Sequence, residues 1–307
     1  MPCSRNGNVA RRASPTRWRA PPGLRKGRGA TAGSDVPVAS AAPAITTRLV
    51  PHAGARQPII WAMNDPLFDK TDVLVLQHLN DDGPGYLGQW LDEQGLRWQV
   101  RCAEAGEAYP ASVKGLKGLA VLGGAWSAND DRPSLRQAEV LIREADALGI
   151  PVIGHCLGGQ LMARAFGGRV VTLAQPEIGW LPIRHSGSDT ARAWLGEEAE
   201  ATVYQWHHDS FVELPPGAEL LASSPACAHQ AFALRQHLAM QFHIEITPKK
   251  IGDWMAHPGE AYPTLVQRHP DSVQGAQTIA DSTARHQAGS EALARRIYQT
   301  WRLRWTR

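Results

Sequence analysis

Pro151-Val152-Ile153-Gly154-His155-Cys156-Leu157-Gly158-Gly159-Gln160 decides how the rest of the chain is read. Ile150 to Ile153 is an apolar run of strand length. Gly154-His155-Cys156-Leu157-Gly158 then has the G-x-nucleophile-x-G form of a sharp strand-to-helix turn. Leu161 to Phe166 reads as the helix that follows, closed by Gly167-Gly168. Such a turn strains its central residue, and small flanking residues let neighbouring backbone pass closely. It also sets the sulfur at a helix N-terminus, whose amides favour negative charge and suit an oxyanion. Cys156 is therefore the candidate nucleophile. A buried packing cysteine would fit the pattern on its own equally well, so the choice rests on what lies downstream.

Upstream, Val73 to Leu76 is an apolar strand, Gly83-Pro84-Gly85 a loop, and Tyr86 to Gln94 a helix ending at Gly95. Trp98 to Val100 and Leu116 to Leu122 resume as strands, the second running into Gly123-Gly124. Ser134 to Leu148 is a helix stopped by Gly149. Strands alternating with helices imply an α/β fold, a mostly parallel sheet with helices on both faces. Ligands bind such sheets at the C-terminal strand ends, where Gly123-Gly124 and Cys156 fall. After Gly168 the pattern changes to short strands: Val170–Leu173, Gly179–Ile183, Thr202–Trp206, Leu220–Ser223, Gln230–Leu234 and Leu238–Phe242. These predict added β-structure that ends by rejoining the central sheet. The last sixty or so residues are helical in pattern, most clearly from Glu291 to Trp305.

Charge divides the 307 residues unevenly. Residues 1–62 hold ten basic side chains and one acid, leaving 22 basic and 28 acidic residues in 63–307. The Arg-, Pro- and Gly-rich leader lacks apolar periodicity and is expected to be disordered. It reads as a basic arm, as a targeting peptide, or as the product of a mis-assigned start, with Met63 beginning the functional chain. The last is favoured because Met63-Asn64-Asp65 immediately precedes the first regular pattern. The expected organisation is a 1–62 extension, an α/β domain over 63–250 and a helical extension of it over 251–307. The mildly acidic body offers no nucleic-acid surface, and no apolar run is long enough to span a bilayer. Cys3, Cys102, Cys156 and Cys227 form no disulfide framework, as expected of a cytoplasmic protein. His207-His208 lacks a third ligand at zinc-like spacing, so no metal and no cofactor is expected.

The second informative stretch is Leu238-Ala239-Met240-Gln241-Phe242-His243-Ile244-Glu245. An apolar strand delivers a histidine at its end and a carboxylate two residues on. A thiol needs a base to take its proton, and the base needs a carboxylate to fix its tautomer. At i and i+2 of an extended segment, His243 and Glu245 point to one side. Cys156, His243 and Glu245 are thus the candidate triad.

These motifs resemble the class I glutamine amidotransferases. Gly154-His155-Cys156-Leu157-Gly158-Gly159-Gln160 is similar to that family's G-x-C-x-G-x-Q elbow, and Gln241-Phe242-His243-Ile244-Glu245 to its Q-F-H-x-E strand end. The likeness covers about residues 70–248 and is nearest to stand-alone members related to the amidotransferase domain of GMP synthase and to γ-glutamyl peptide hydrolases. It implies a flavodoxin-like fold with added β-structure, and a thioester mechanism on glutamine or another γ-glutamyl compound. Backbone N–H groups of Gly124 and Leu157 would form the oxyanion hole. Gln160 and the backbone around Trp206, His208 and Asp209 would hold the γ-glutamyl group. His155, Gly159, His208 and Ile244 stand where the family usually has an apolar residue, histidine, glycine and proline, so the donor is left open. No phosphate-binding glycine loop follows Glu245. The expectation is either a separate ammonia-accepting synthetase or a free-standing hydrolase. Two other readings remain: a cysteine α/β-hydrolase, which would place its acid before the histidine, and a non-catalytic regulatory subunit on the same scaffold.

Overall fold

Side chains of the first strand alternate between two cores, and that alternation organises the sheet. The computed structural model describes residues 70–305. The leader and its expected disorder, and Met63, lie outside the described residues. In β1 (Val73–Gln77), Val73 and Val75 face one core, Leu74 and Leu76 the other, and all four are fully buried. A strand apolar on both sides must be covered on both faces. The cover comes from α1 (Tyr86–Glu93) with α4 (Asp189–Leu195) and α7 (Ala276–Arg302) on one side. On the other lie α2 (Pro133–Ala147) and α3 (Leu157–Ala165). In α2 the buried positions Leu135, Ala138, Leu141, Ile142 and Ala145 follow the helical repeat, and Pro133 sits in the first turn, where its missing N–H costs nothing.

The remaining strands are β2 (Trp98–Cys102), β3 (Gly118–Val121), β4 (Val152–His155), β5 (Arg169–His185), β6 (Glu200–Glu213), β7 (Glu219–Ser223), β8 (Ala231–Leu234) and β9 (His237–Met240). The sheet order is β2-β1-β3-β4-β9-β8-β7-β5-β6, with β2, β1, β3, β4 and β9 mutually parallel and the rest joined by antiparallel pairings. The parallel part has the flavodoxin-like order, with its switch point between β1 and β3. The strand run that was expected to return to the central sheet is β9, which pairs with β4 through Ile153–Leu238 and His155–Met240.

Two expected strands, Val170–Leu173 and Gly179–Ile183, belong to one 17-residue strand, β5. Its register with β6 shifts between Thr172 and Glu177, around Pro176. Proline cannot donate to a ladder and is tolerated at such irregularities. β6 likewise continues past Trp206 through His207-His208-Asp209-Ser210, whose polarity hides the strand pattern. The expected C-terminal helix is longer than read, 27 residues, and is preceded by α5 (Pro248–Ala256) and α6 (Tyr262–Arg268). Trp301 of α7 is fully buried, and its indole N–H donates to the Pro151 carbonyl (3.0 Å), tying the last helix to the start of β4. A third, smaller core of Ile178, Trp180, Tyr204, Ile246, Ile251 and Tyr262 joins α5 and α6 to the β5–β6 pair.

Candidate active site

β4 ends at His155, and Cys156 turns the chain directly into α3 with φ 47° and ψ −109°. Left-handed φ is unfavourable for a side chain with Cβ and persists where the surroundings enforce it. The Cys156 N–H donates to the Met240 carbonyl of β9 (2.9 Å). On the other side, a Cβ on Gly158 would stand 2.1 Å from the Val121 carbonyl of β3, so only glycine lets α3 start this close to the sheet. Leu157 is the first residue of α3, with no intrahelical acceptor for its N–H. Cys156 is 5% exposed, and its sulfur faces the Trp206 carbonyl (3.8 Å) and the Gln241 side-chain amide, which donates to it (3.5 Å).

Just past β9, the His243 N–H donates to the Tyr204 carbonyl (2.9 Å), and the ring packs edge-on to Trp254 (5.0 Å between centroids). Its Nδ1 meets Glu245 Oε1 at 2.6 Å, and both side chains are buried. His243 Nε2 is buried, with the Cys156 sulfur as its neighbour and no nitrogen or oxygen partner among the described residues. A Cβ on Gly123 would fall 2.9 Å from His243 Cε1 and 3.6 Å from Cys156 Cβ, so the end of β3, the sulfur and the imidazole converge on one point. Burial disfavours the imidazolium, but the charge of Glu245 and the neighbouring Cys156 outweigh it and raise the His243 pKa. Burial likewise works to raise Glu245, yet the charges of His243 and Lys250 hold its carboxyl well below the usual range.

Cys156, His243, Gly124, Gln160, Trp206, His208 and Asp209 all border one cavity of about 570 Å³. Glu245 lies behind His243 and is fully buried, and the Leu157 side chain packs into the α2–α3 core. Gln160 donates to the Asp209 carbonyl (2.9 Å) and to Gln241 Oε1 (3.3 Å), linking α3 to β6 and to the segment after β9. The Asp209 carboxylate accepts from Ser127 and from Thr172, each at 2.7 Å. His155 points the other way from the cavity floor, into the core beneath α7, with Nε2 3.2 Å from the Tyr298 hydroxyl.

Sequence reasoning missed two groups of charges here. Lys250 of α5 is buried against Asp82 (2.5 Å) and Glu245 (3.4 Å). Between β5 and β6, Glu177 of β5 is buried against His207 of β6 (3.1 Å), and also meets Ser224 and Gln230. The far wall of the cavity was missed too. It comes from α5 and the loop after it, with Trp254, His257 and Gly259. Trp206 stacks on Tyr262 and meets Trp254 edge-on, which braces that wall. A helical pattern in a C-terminal segment carries no mark that it folds back over strand ends.

The family model described as glutamine amidotransferase class-I matches residues 93–258, more than half of the chain. The chain belongs to the class I glutamine amidotransferases. The match contains Cys156, His243, Glu245 and Lys250. Among similar proteins, the glutamine-hydrolysing GMP synthase of Bordetella avium is 31% identical over 165 residues, 50% of this chain and 30% of the synthase. That of Psychrobacter arcticus is 35% identical over 138 residues, 43% of this chain and 24% of the synthase. The chain thus spans under a third of the length of these relatives. A crystal structure of a glutamine amidotransferase from Methylobacillus flagellatus superposes with a TM-score of 0.72 at 35% identity, covering 78% of this chain and 96% of that one. An amidotransferase structure from Thermotoga maritima shares the fold, with a TM-score of 0.65 at 24% identity over 76% of this chain and 98% of that one. Among the described residues of this amidotransferase, no helix is long and apolar enough to cross a membrane.

Proposed function

We propose that this amidotransferase hydrolyses a γ-glutamyl amide through a Cys156 thioester. The observation that carries the reading is the convergence of Cys156, at the start of α3, with the buried His243–Glu245 pair on one cavity. His243 takes the Cys156 thiol proton, and the sulfur attacks the γ-carbonyl carbon while the carbonyl oxygen takes the negative charge, facing the N–H groups of Gly124 and Leu157. Collapse breaks the C–N bond, and His243 gives its proton to the departing nitrogen, so ammonia or an amine leaves. Water then attacks the thioester while His243 accepts its proton. The C–S bond breaks, His243 returns the proton to the sulfur, and glutamate is released. Glu245 accepts from Nδ1–H of His243 throughout and keeps Nε2 turned to the reactants. Gln160 and the backbone around Trp206, His208 and Asp209 hold the α-amino and carboxylate groups, with the Asp209 carboxylate offering charge complementarity to the ammonium.

The test is release of ammonia and glutamate from glutamine by purified protein, beside a panel of γ-glutamyl peptides and amines. No turnover on any of them, with Cys156 inert to a glutamine-analogue electrophile, would overturn the reading. The size of the cavity favours a second reading, a donor with a leaving group larger than ammonia. Its volume lies within the range of about 300–1,000 Å³ of pockets that enclose drug-sized ligands, and Trp254 and His257 line it beyond His243. Faster turnover of γ-glutamyl peptides than of glutamine supports this. The reverse supports glutamine as donor, with ammonia passed to a separate synthetase.

A further inference from the structure

Behind the His243–Glu245 pair stand two charges that the chemistry above does not use. Lys250 lies in the first turn of α5, where Thr247 caps the helix by accepting the Lys250 N–H. A cation there opposes the helix dipole, and an ammonium only 6% exposed is unfavourable unless paired. It is paired twice. Lys250 Nζ lies 2.5 Å from Asp82 Oδ1, in the loop between β1 and α1, and 3.4 Å from Glu245 Oε1. It also donates to the Gly83 carbonyl (2.9 Å). Glu245 Oε1 is the same oxygen that meets His243 Nδ1, while Oε2 has no partner among the described residues. Lys250 is therefore the second contact that fixes how this carboxylate sits. Asp82 Oδ2 approaches to 3.3 Å the point where a Gly123 Cβ would be, beside His243 Cε1. Charges thus alternate from Asp82 through Lys250 and Glu245 to the imidazole.

We propose that Lys250, held by Asp82, is a positioning residue that fixes the Glu245 carboxylate against His243 and sets the proton affinity of the imidazole. The role rests on the proposed function in that His243 is the proton carrier. The signs follow from Coulomb's law: the ammonium opposes a second positive charge on His243, and the Asp82 carboxylate favours it. Other titratable groups face the pair from each packed element. They are Cys156 after β4, His155 in β4, and Tyr298 in α7, which faces both His155 and Tyr86 of α1, while Tyr204 in β6 meets His243 through its backbone carbonyl. The sulfur is absent throughout the titration below and the other groups are the same in every variant, so differences between variants report Lys250 and Asp82.

The decisive measurement is the NMR titration of the His243 ring in the full chain, in a Cys156→Ala background that removes the sulfur. Lys250→Met should raise its midpoint by about one pH unit and Asp82→Asn should lower it by a similar amount. The double variant, neutral overall, should return to within about 0.3 unit of the parent, and Lys250→Arg should not move it. A role confined to folding would lower melting temperature without opposite shifts, so single-variant shifts of one sign, or none, overturn the proposal. Each single variant leaves a buried charge short of a partner and can fail to fold. The double variant then decides. With Cys156 restored and its midpoint unchanged, it should lose about 3- to 10-fold in kcat with KM unaltered, because Glu245 has lost its anchor. Unaltered kcat there overturns positioning. Absence of turnover in the parent protein would instead strike the proposed function, and the titration would still decide the role of Lys250.

Discussion

Two buried histidine–glutamate pairs lie on this site, and they differ in what their remaining atoms do. His243 and Glu245 meet at 2.6 Å, and neither His243 Nε2 nor Glu245 Oε2 has a nitrogen or oxygen partner among the described residues. His207 and Glu177 meet at 3.1 Å, and nearly every other polar atom is engaged. His207 Nδ1 lies 3.2 Å from the Asp209 carbonyl, Glu177 Oε1 accepts from Ser224 (2.7 Å), and Oε2 also accepts from Gln230 (2.6 Å). The protein thus satisfies the second pair with its own oxygen and nitrogen groups, whereas the His243 ring has the Cys156 sulfur on its other side. In the proposed mechanism the first pair exchanges a proton with the reactant. The second has used its capacity to hold β6, β8 and the cavity-side segment His207–Asp209 in place.

The largest expected effects fall on the first pair. Cys156→Ala and His243→Ala should each remove at least about a thousandfold of turnover while leaving a cooperative melt. A glutamine-analogue electrophile should modify Cys156 and spare Cys102 and Cys227, read by peptide mapping. Labelling that survives Cys156→Ser would break the assignment. Glu245→Gln should be milder, about 10- to 1000-fold, equivalent to about 1.4–4 kcal/mol of barrier. The second pair should respond in the opposite currency. Glu177→Gln leaves Ser224, Gln230 and His207 without a charged acceptor, and should cost about 2–4 kcal/mol of unfolding free energy. Its kcat should stay within about tenfold of the parent. Should His207→Ala abolish turnover with stability intact, the contrast between the pairs fails and His207 becomes the base to examine.

The first pair was legible in the sequence and the second was not, for a physical reason. His243 and Glu245 are two residues apart on a strand end, so their joint direction follows from strand geometry alone. Cys156 announces itself through the glycines that its turn requires. Glu177 meets His207, Ser224 and Gln230 only because β5 carries a register shift at Pro176 and pairs with β6 and β7. Within the sequence, Ala174-Gln175-Pro176-Glu177 reads as an interruption. Lys250 and Asp82 were hidden likewise. Each looks like an ordinary surface charge, one in a helical turn and one before a glycine-proline loop, and only the parallel sheet brings their segments together. The parallel core was readable because each strand and helix carries its own periodicity. The wall made by α5 and the loop after it was not, because nothing local says which face a helix covers.

The smallest effect expected is on the pH dependence of stability, and it bears on the first pair alone. Glu245 is held well below its ordinary 4.5 by His243 and Lys250, after burial has pushed the other way. A depressed carboxyl contributes stability that is present above 4.5 and lost as pH falls through the folded value. His243 is raised from its ordinary 6.5 to about 10 against burial, by Glu245 and Cys156. A raised imidazole contributes stability that is complete below 6.5 and lost as pH climbs toward 10. The two contributions coincide between about pH 4.5 and 6.5. Glu245→Gln removes the carboxylate from both terms. Its melting temperature should therefore fall furthest below the parent in that window, by about 2–4 °C for each kcal/mol at this chain length. The gap should narrow below pH 4 and again above pH 9. Thermal melts of both proteins across pH 3 to 10, at fixed ionic strength, read this directly. A gap of constant size across that range would mean that the Glu245 charge does not distinguish the folded from the unfolded chain. The electrostatic half of the contrast between the two pairs would then be wrong, whatever the turnover of the variants.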